Sequence, residues 1–145
     1  MAAKGIYLER DLYKSKAFKE LSKVQVEILF ILLERRIIQK PSVPRGKHAR
    51  KVITNNGEIT FTYSEAVRLG YSRRTFANAI SKLVEVGFID IAHQGNGSIK
   101  GDCSKYGFYD RWKKYGKPGF EQKYRVKDSR RAHSFDSYNT SRTKR

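Results

Sequence analysis

The sequence lacks several features that define whole classes of protein. Its 145 residues contain one cysteine, Cys103, which cannot form an internal disulfide and so favours a reducing, cytoplasmic compartment. The longest purely apolar run covers residues 28–33, whereas a membrane-spanning helix needs about 20 apolar residues. No apolar stretch follows the first basic residue, so we expect neither a secretory signal nor a membrane partner.

Acidic residues are also scarce. Only 14 Asp and Glu stand against 31 Lys and Arg, which gives a formal net charge of +17. The last twenty residues hold six basic and two acidic side chains, so residues 1–125 retain a net charge of +13. Most of the excess charge therefore belongs to the part of the chain that can form a core, and it predicts attraction to a polyanion.

The groupings of residues that enzymes and metal sites need are missing as well. His48, His93 and His133 are isolated from one another, and no Cys or carboxylate lies near them at ligand spacing, so we expect no metal site. The run GNGSIKGD lacks the spacing of a phosphate-binding loop. Without paired carboxylates or a Ser/His/Asp signature, we expect neither an enzyme nor a cofactor.

The C-terminal end differs in composition from the rest of the chain. Residues 126–145 are rich in Ser, Thr and Arg and hold few side chains that a core could bury. Such a segment cannot offset its own ordering entropy. We therefore predict one folded domain over residues 1–125 and a mobile basic tail over residues 126–145.

The first strong helical signal begins at Ser22. Ser22 and Gln25 have the spacing of a capping box, in which each side chain satisfies a backbone N–H at the start of a helix. Apolar residues cover nearly every side of the helix that follows, residues 23–36. Since a helix that is apolar all round is either central in a core or shared with a partner, we also expect a homodimer through helix 23–36. A shorter helix over residues 16–21 is predicted before it.

A hairpin is predicted next. Asn56 and Gly57 separate two β-rich runs, residues 51–54 and 58–62. An Asn-Gly pair between such runs is a strong hairpin signal, because both turn positions need a positive φ. We place a strand at residues 59–62 and a weaker one before the turn.

Two helix signals then follow in quick succession. Thr62 and Glu65 form a second capping box, which opens a helix over residues 63–69. Ser72 is a good N-cap for the next helix, residues 73–86, which a glycine follows. Two helices joined by a short turn that contains a glycine form the helix-turn-helix arrangement.

The second of these helices is amphipathic. One face of the wheel is apolar and consists of Phe76, Ala79, Ile80, Leu83 and Val84. The opposite face has no large apolar side chain and consists of Arg74, Ala77, Asn78, Ser81, Lys82 and Glu85. This polar face is typical of a helix that lies in a major groove and contacts base edges and phosphates.

A strand, a glycine-rich loop and another strand complete the pattern. We predict strands at residues 88–91 and 105–109, with the loop, or wing, at residues 92–103. The run TYSEAVRLGYSRRTFANAISKLVEVGFIDI resembles winged helix-turn-helix DNA-binding domains, and it is most similar to those of phage and plasmid replication or regulatory proteins of bacteria and archaea. The resemblance covers about residues 59–109. It implies an α+β, mainly α fold: a three-helix core, a small antiparallel β-sheet and a wing.

The resemblance also implies a DNA-binding site. The recognition helix, residues 73–86, would lie in the major groove and the wing on the flanking backbone. The recognition residues carried over are Ser72, Arg73, Arg74, Thr75 and Asn78, to which the polar face adds Ser81 and Lys82. The wing contacts carried over are His93, Gln94, Asn96, Ser98 and Lys100.

We accordingly expect a double-stranded DNA-binding protein, either a sequence-specific regulator of transcription or a replication-associated protein of a mobile element. Its expected place is the cytoplasm of a bacterium or archaeon, in association with the nucleoid. The expected domain over residues 1–125 is then a winged-helix DNA-binding domain.

Two alternatives stay open. Aromatic residues between 106 and 124 alternate with lysines and arginines, which suits either base stacking in an RNA- or ribonucleoprotein-binding protein or the closure of a core. The polar helix face favours duplex DNA over RNA, because the deep, narrow major groove of A-form RNA does not admit a helix. A winged helix can also dock onto another protein, although such a role needs no excess of positive charge.

Overall fold

The computed structural model describes residues 5–39, 52–96 and 99–126. The helices are α1 (Arg10–Lys14), α2 (Lys16–Lys19), α3 (Lys23–Glu34), α4 (Tyr63–Arg68), α5 (Arg73–Val86) and a 3-10 helix (Asp110–Lys114). The strands are β1 (Ile38–Gln39), β2 (Val52–Ile53), β3 (Ile59–Thr60), β4 (Ile89–His93) and β5 (Lys105–Phe108). The described residues form an α+β fold, as predicted, but they contain two small antiparallel sheets where one was predicted. Apart from Val126, the predicted tail over residues 126–145 lies outside the described residues.

The helix starts predicted from capping residues are confirmed. The Ser22 hydroxyl accepts the N–H of Gln25 at the start of α3, and the Gln25 side chain accepts the N–H of Ser22 in return. Thr62 does the same with its partner three residues later at α4, and Ser72 caps α5. Helix α5 has the predicted bounds, whereas α3 and α4 end earlier than predicted. Helix α1 was not predicted.

The larger sheet has the strand order β3-β5-β4, so the last strand in the sequence is central. Tyr106 of β5 lies opposite Ile59 of β3 on one side and opposite Ile91 of β4 on the other. Helices α4 and α5 connect β3 to β4. The loop between β4 and β5 therefore begins at the end of β4, which is the strand that follows α5.

The predicted hairpin at Asn56-Gly57 is wrong. Strand β2 pairs with β1, and β3 pairs with β5. Gly57 has a φ of +84°, but Asn56 has a negative φ, so the two-residue turn that pairs adjacent strands is not formed. The asparagine side chains explain the difference. Asn55 bonds to the N–H of Ile37 and the carbonyl of Arg35, and Asn56 bonds to β5, which draws the two strands to different partners.

The core lies between α3, α5 and the larger sheet. Its largest fully buried side chains are Phe61, Phe76, Phe88, Ile28, Leu29, Leu32, Ile59, Ile80, Leu83, Ile89 and Val86. Four residues of α3 are buried, and Val24, Phe30 and Ile31 pack half-buried against the same core. The chain itself thus covers most of the apolar surface of α3, and the homodimer stays a prediction.

The aromatic residues after β4 mostly close the core. Trp112 is buried and its ring lies 5.8 Å from that of Phe88, and Tyr106 is buried in the central strand. Tyr109 and Tyr124 are exposed. The core-closing interpretation therefore holds for the two residues that are most deeply buried. No helix in the described ranges is long and apolar enough to cross a membrane.

Candidate nucleic-acid interface

The outward face of α5 is polar and carries most of the predicted recognition residues. Arg73, Arg74 and Asn78 are exposed, and Thr75 and Lys82 are half-buried. The predicted apolar face is entirely buried.

Ala77, which was predicted on the outward face, is instead only 5% exposed. It lies at the border between the two faces of α5, one turn before Ser81, whose hydroxyl donates to the Ala77 carbonyl. The outward face is therefore narrower than the wheel predicted.

The cap of α5 uses the hydroxyl groups of two predicted recognition residues. Ser72 Oγ accepts the backbone N–H of Thr75 at 3.1 Å, and the two side-chain oxygens lie 2.8 Å apart. This arrangement fixes the backbone of the first turn of the helix, which contains Arg73 and Arg74.

The charges at the start of α5 are uncompensated. Among the described residues, no carboxylate lies at salt-bridge distance from Arg73 or Arg74. Lys82 differs, because it lies 3.9 Å from Glu85 one turn later. Cations at a helix N-terminus oppose the helix dipole, so Arg73 and Arg74 gain nothing from α5 itself, and an external anion would offset their charge.

Asp102, near the end of the wing, forms hydrogen bonds to residues at its start. Its Oδ1 lies 2.7 Å from His93 Nε2, and its Oδ2 accepts the backbone N–H of Asn96 at 2.8 Å. The Asn96 hydrogen bond, and then the bond to His93, lower the pKa of the Asp102 carboxyl. Sequence reasoning missed this role, although an acidic residue in a basic, glycine-rich loop was a usable signal.

The other predicted wing residues are spread along the loop. His93 is the last residue of β4 rather than part of the loop, and Gln94 and Lys100 are exposed. Lys100 has no acidic partner within the described part of the chain. Ser98 lies outside the described residues. The loop that follows β4 therefore presents an exposed amide at Gln94 and an exposed lysine, Lys100, without an acidic partner among the described residues.

The first part of the wing lies very close to the backbone of its last part at Gly95. A Cβ atom there would lie 2.5 Å from the backbone nitrogen of Ser104. The Gly95 N–H donates to the Ser104 hydroxyl at 3.1 Å. Because a side chain at position 95 would clash with the backbone, this close contact at the base of the wing requires a glycine.

Arg125 is a surface residue that sequence reasoning did not select. Its Nε donates to Ser81 Oγ at 2.9 Å, and its Nη1 lies 3.5 Å from the hydroxyl of Tyr63. Ser81 Oγ in turn donates to the carbonyl of Ala77. The Ser81 hydroxyl, predicted to contact DNA, is thus already engaged on both sides. Arg125 was missed because nothing in the sequence predicted that the segment after β5 would return to α5.

That returning segment follows α5 over several residues. Gln122 Nε2 donates to the carbonyl of Glu85 at 3.3 Å, and Lys123 Nζ lies 3.3 Å from Asp90. Arg125 then reaches Ser81, one turn earlier in the helix. The segment therefore runs antiparallel to α5 along one edge of its outward face.

A cleft of about 510 Å³ separates α5 from the wing. Its walls combine aromatic, hydroxyl and charged side chains, and they include Tyr63, Arg73, Gln94, Asp102, Ser104 and Arg125. In the described ranges, no group of three His, Cys, Asp or Glu side chains could hold a metal ion.

No protein-family model, curated protein or solved structure matches this chain. The fold and the chemistry of the α5 surface are therefore the basis for inferring function.

Proposed function

We propose that this protein is a winged helix-turn-helix protein that binds double-stranded DNA. Helix α5 would lie in the major groove, and the wing, residues 92–103, would contact the flanking backbone. The order β3-α4-α5-β4-loop-β5 and the packing of α3 against α5 support this assignment. In this proposal α3, α4 and α5 are the three core helices.

One observation carries the proposal. The face of α5 that points away from the core is free of large apolar groups, and it exposes Arg74 and Asn78 beside each other on neighbouring turns. An amide side chain can pair with an adenine edge, and a guanidinium can pair with guanine or phosphate. The uncompensated charge of Arg73 and Arg74 supplies the attraction to a polyanion that the net charge of +17 predicts.

The biological role that we propose is regulation of transcription or participation in the replication of a mobile element. The alternative of an RNA-binding protein that stacks bases on an aromatic surface has less support. Tyr106 and Trp112 are buried, and the exposed aromatic residues Tyr109 and Tyr124 lie on separate parts of the chain after β5.

A competition experiment tests the proposal. A labelled duplex DNA bound to the protein is challenged with unlabelled duplex DNA, single-stranded DNA or folded RNA of equal length at matched salt concentration. We expect duplex DNA to compete best, with an affinity that falls as salt rises. Preferential competition by RNA, or no salt-dependent binding of any nucleic acid, would contradict the proposal.

A further inference from the structure

We infer that the cleft between α5 and the wing is a phosphate-binding site, in which Arg73 and Arg125 hold one backbone phosphate of the duplex. This inference rests on the proposed function and adds the C-terminal segment to its interface. Both arginines line the cleft, one from the first turn of α5 and one from the segment that returns along that helix.

Arg125 is held in place by neutral groups. Its Nε bonds to the Ser81 hydroxyl and its Nη1 to the Tyr63 hydroxyl, while its Nη2 has no hydrogen-bond partner among the described residues. A guanidinium has five N–H donors in a planar fork that matches a phosphate. Arg125 therefore keeps both its full charge and unused donors, although its orientation is already fixed.

Two other arginines of the fold are paired with carboxylates, and the contrast with Arg125 supports this assignment. Arg111 is 8% exposed at its side chain and bonds to the Asp90 carboxylate at 2.6 Å. Arg35 bonds to the Glu65 carboxylate at 3.0 Å. These two guanidinium groups are neutralised within the fold, whereas Arg125 is positioned without being neutralised.

The acidic side chain in the cleft offsets only part of this charge. Asp102 lines the cleft, but its two oxygens are already bound to His93 and to the backbone N–H of Asn96. The lining thus carries two guanidinium groups and one engaged carboxylate, and its net charge is positive. A guanidinium group can bind a phosphate through two parallel N–H···O bonds, and two positive charges near one phosphate favour its binding.

Ser81 is a positioning residue in this account. Its hydroxyl accepts from Arg125 and donates to the carbonyl of Ala77, so it holds the guanidinium against α5. It would affect binding through Arg125 rather than through a contact with a base.

The test measures affinity for a duplex of mixed sequence as a function of salt, by fluorescence anisotropy with the full chain. Arg125→Gln should reduce the slope of log affinity against log salt by up to about 0.9, because the shared phosphate loses one of the two guanidinium groups that neutralise it. If the parent and the variant bind equally at 1 M salt, a slope difference of about 0.9 makes the variant about eightfold weaker than the parent at 0.1 M salt. Lys19→Gln removes the same charge from α2, outside the cleft, and should leave the slope unchanged.

A double-mutant cycle tests whether Ser81 acts by positioning Arg125 rather than by maintaining the fold. Ser81→Ala should weaken binding in the parent protein but have no further effect in the Arg125→Gln background. Thermal unfolding of each variant identifies any loss of folding, and Arg73→Gln provides a second variant with the same expected loss of slope. If the parent binds duplex and both arginine variants behave like Lys19→Gln, the inference is wrong.

Titration with inorganic phosphate distinguishes a free anion from the DNA backbone as the source of the phosphate. The side-chain Nε–H signals of Arg73 and Arg125 in ¹⁵N-labelled protein should shift on addition of phosphate, and the shift at Arg73 should weaken in Arg125→Gln. A phosphate response without any duplex binding would support the cleft as an anion site and overturn the proposed function. Duplex binding that is insensitive to both arginines would overturn the cleft alone.

Discussion

The side-chain amide of Asn56 pairs with the backbone of Phe108 as a residue on a neighbouring strand would. Asn56 Oδ1 accepts the Phe108 N–H at 2.6 Å, and Asn56 Nδ2 donates to the Phe108 carbonyl at 2.9 Å. These bonds continue the pairing of β3 with β5 beyond Ile59 and Tyr106. One side chain thus joins the turn before β3 to the end of the central strand.

Replacing Asn56 with Ala should therefore destabilise the fold. Loss of the two hydrogen bonds should lower the free energy of unfolding by about 1–2 kcal/mol, because both are partly solvated. Urea unfolding followed by circular dichroism measures the change. Asn78→Ala is the matched control, since that asparagine is exposed on α5 and should change stability by less than about 0.5 kcal/mol. Equal midpoints for the two variants would contradict this role of Asn56.

A comparison of substitutions at Gly87 and Gly70 distinguishes the cost of a left-handed backbone conformation from the cost of a steric clash. Both have a φ near +95°, but a Cβ on Gly87 would lie 2.7 Å from the backbone nitrogen of Trp112, whereas one on Gly70 would meet nothing within 4 Å. Gly70→Ala should cost about 1–2 kcal/mol of unfolding free energy for the left-handed conformation alone. Gly87→Ala should cost clearly more, because the 3-10 helix must shift. Thermal and urea unfolding of both variants tests the difference, and equal losses would contradict it.

Glu65 should make stability depend on pH. The backbone N–H of Thr62 and the guanidinium of Arg35 lower the pKa of the Glu65 carboxyl, against an opposing effect of burial. A carboxyl with a lowered pKa in the folded state stabilises the protein above its unfolded pKa, and this contribution disappears as pH falls through the folded pKa.

The difference in unfolding free energy between the parent and Glu65→Gln should therefore be constant near neutral pH and shrink below about pH 4, near the usual pKa of a glutamate. Urea unfolding from pH 7 to pH 3 measures it. Glu20→Gln, at an exposed position, is the control and should show no such trend. A difference that grows on acidification would have the wrong sign.

Lys100 should contribute to affinity without contributing to sequence preference. It is exposed in the wing, and a lysine in a glycine-rich loop meets phosphates more readily than base edges. Lys100→Ala should weaken binding to every duplex alike and reduce the salt slope by about one unit. Anisotropy titrations with several unrelated duplexes provide the measurement. A loss confined to one sequence would contradict phosphate contact.

Local signals in the sequence predicted much of the fold, because they act over three or four residues. The capping residues Ser22, Thr62 and Ser72 correctly predicted the starts of three helices. The spacing of apolar residues in α5 correctly predicted its buried face. These features depend on neighbours along the chain and need no tertiary information.

Long-range contacts decided the features that sequence reasoning missed. The Asn56-Gly57 signal predicted a local hairpin, but the amide of Asn56 found Phe108 far along the chain. The return of Arg125 to Ser81 likewise depends on how the residues after β5 pack. Neither partner has a periodic or motif-like signature, so pattern alone could not find them.

The central claim is that the outward face of α5 reads bases, and Asn78 tests it most directly. The duplex preferred by the parent is first selected from a random pool, and affinities for that duplex and for a scrambled one are then measured for the parent and Asn78→Ala. The account predicts that Asn78→Ala loses about 1–3 kcal/mol of discrimination between the two duplexes, while its affinity for the scrambled duplex is nearly unchanged. An Asn78→Ala variant that discriminates as the parent does would contradict base readout by α5.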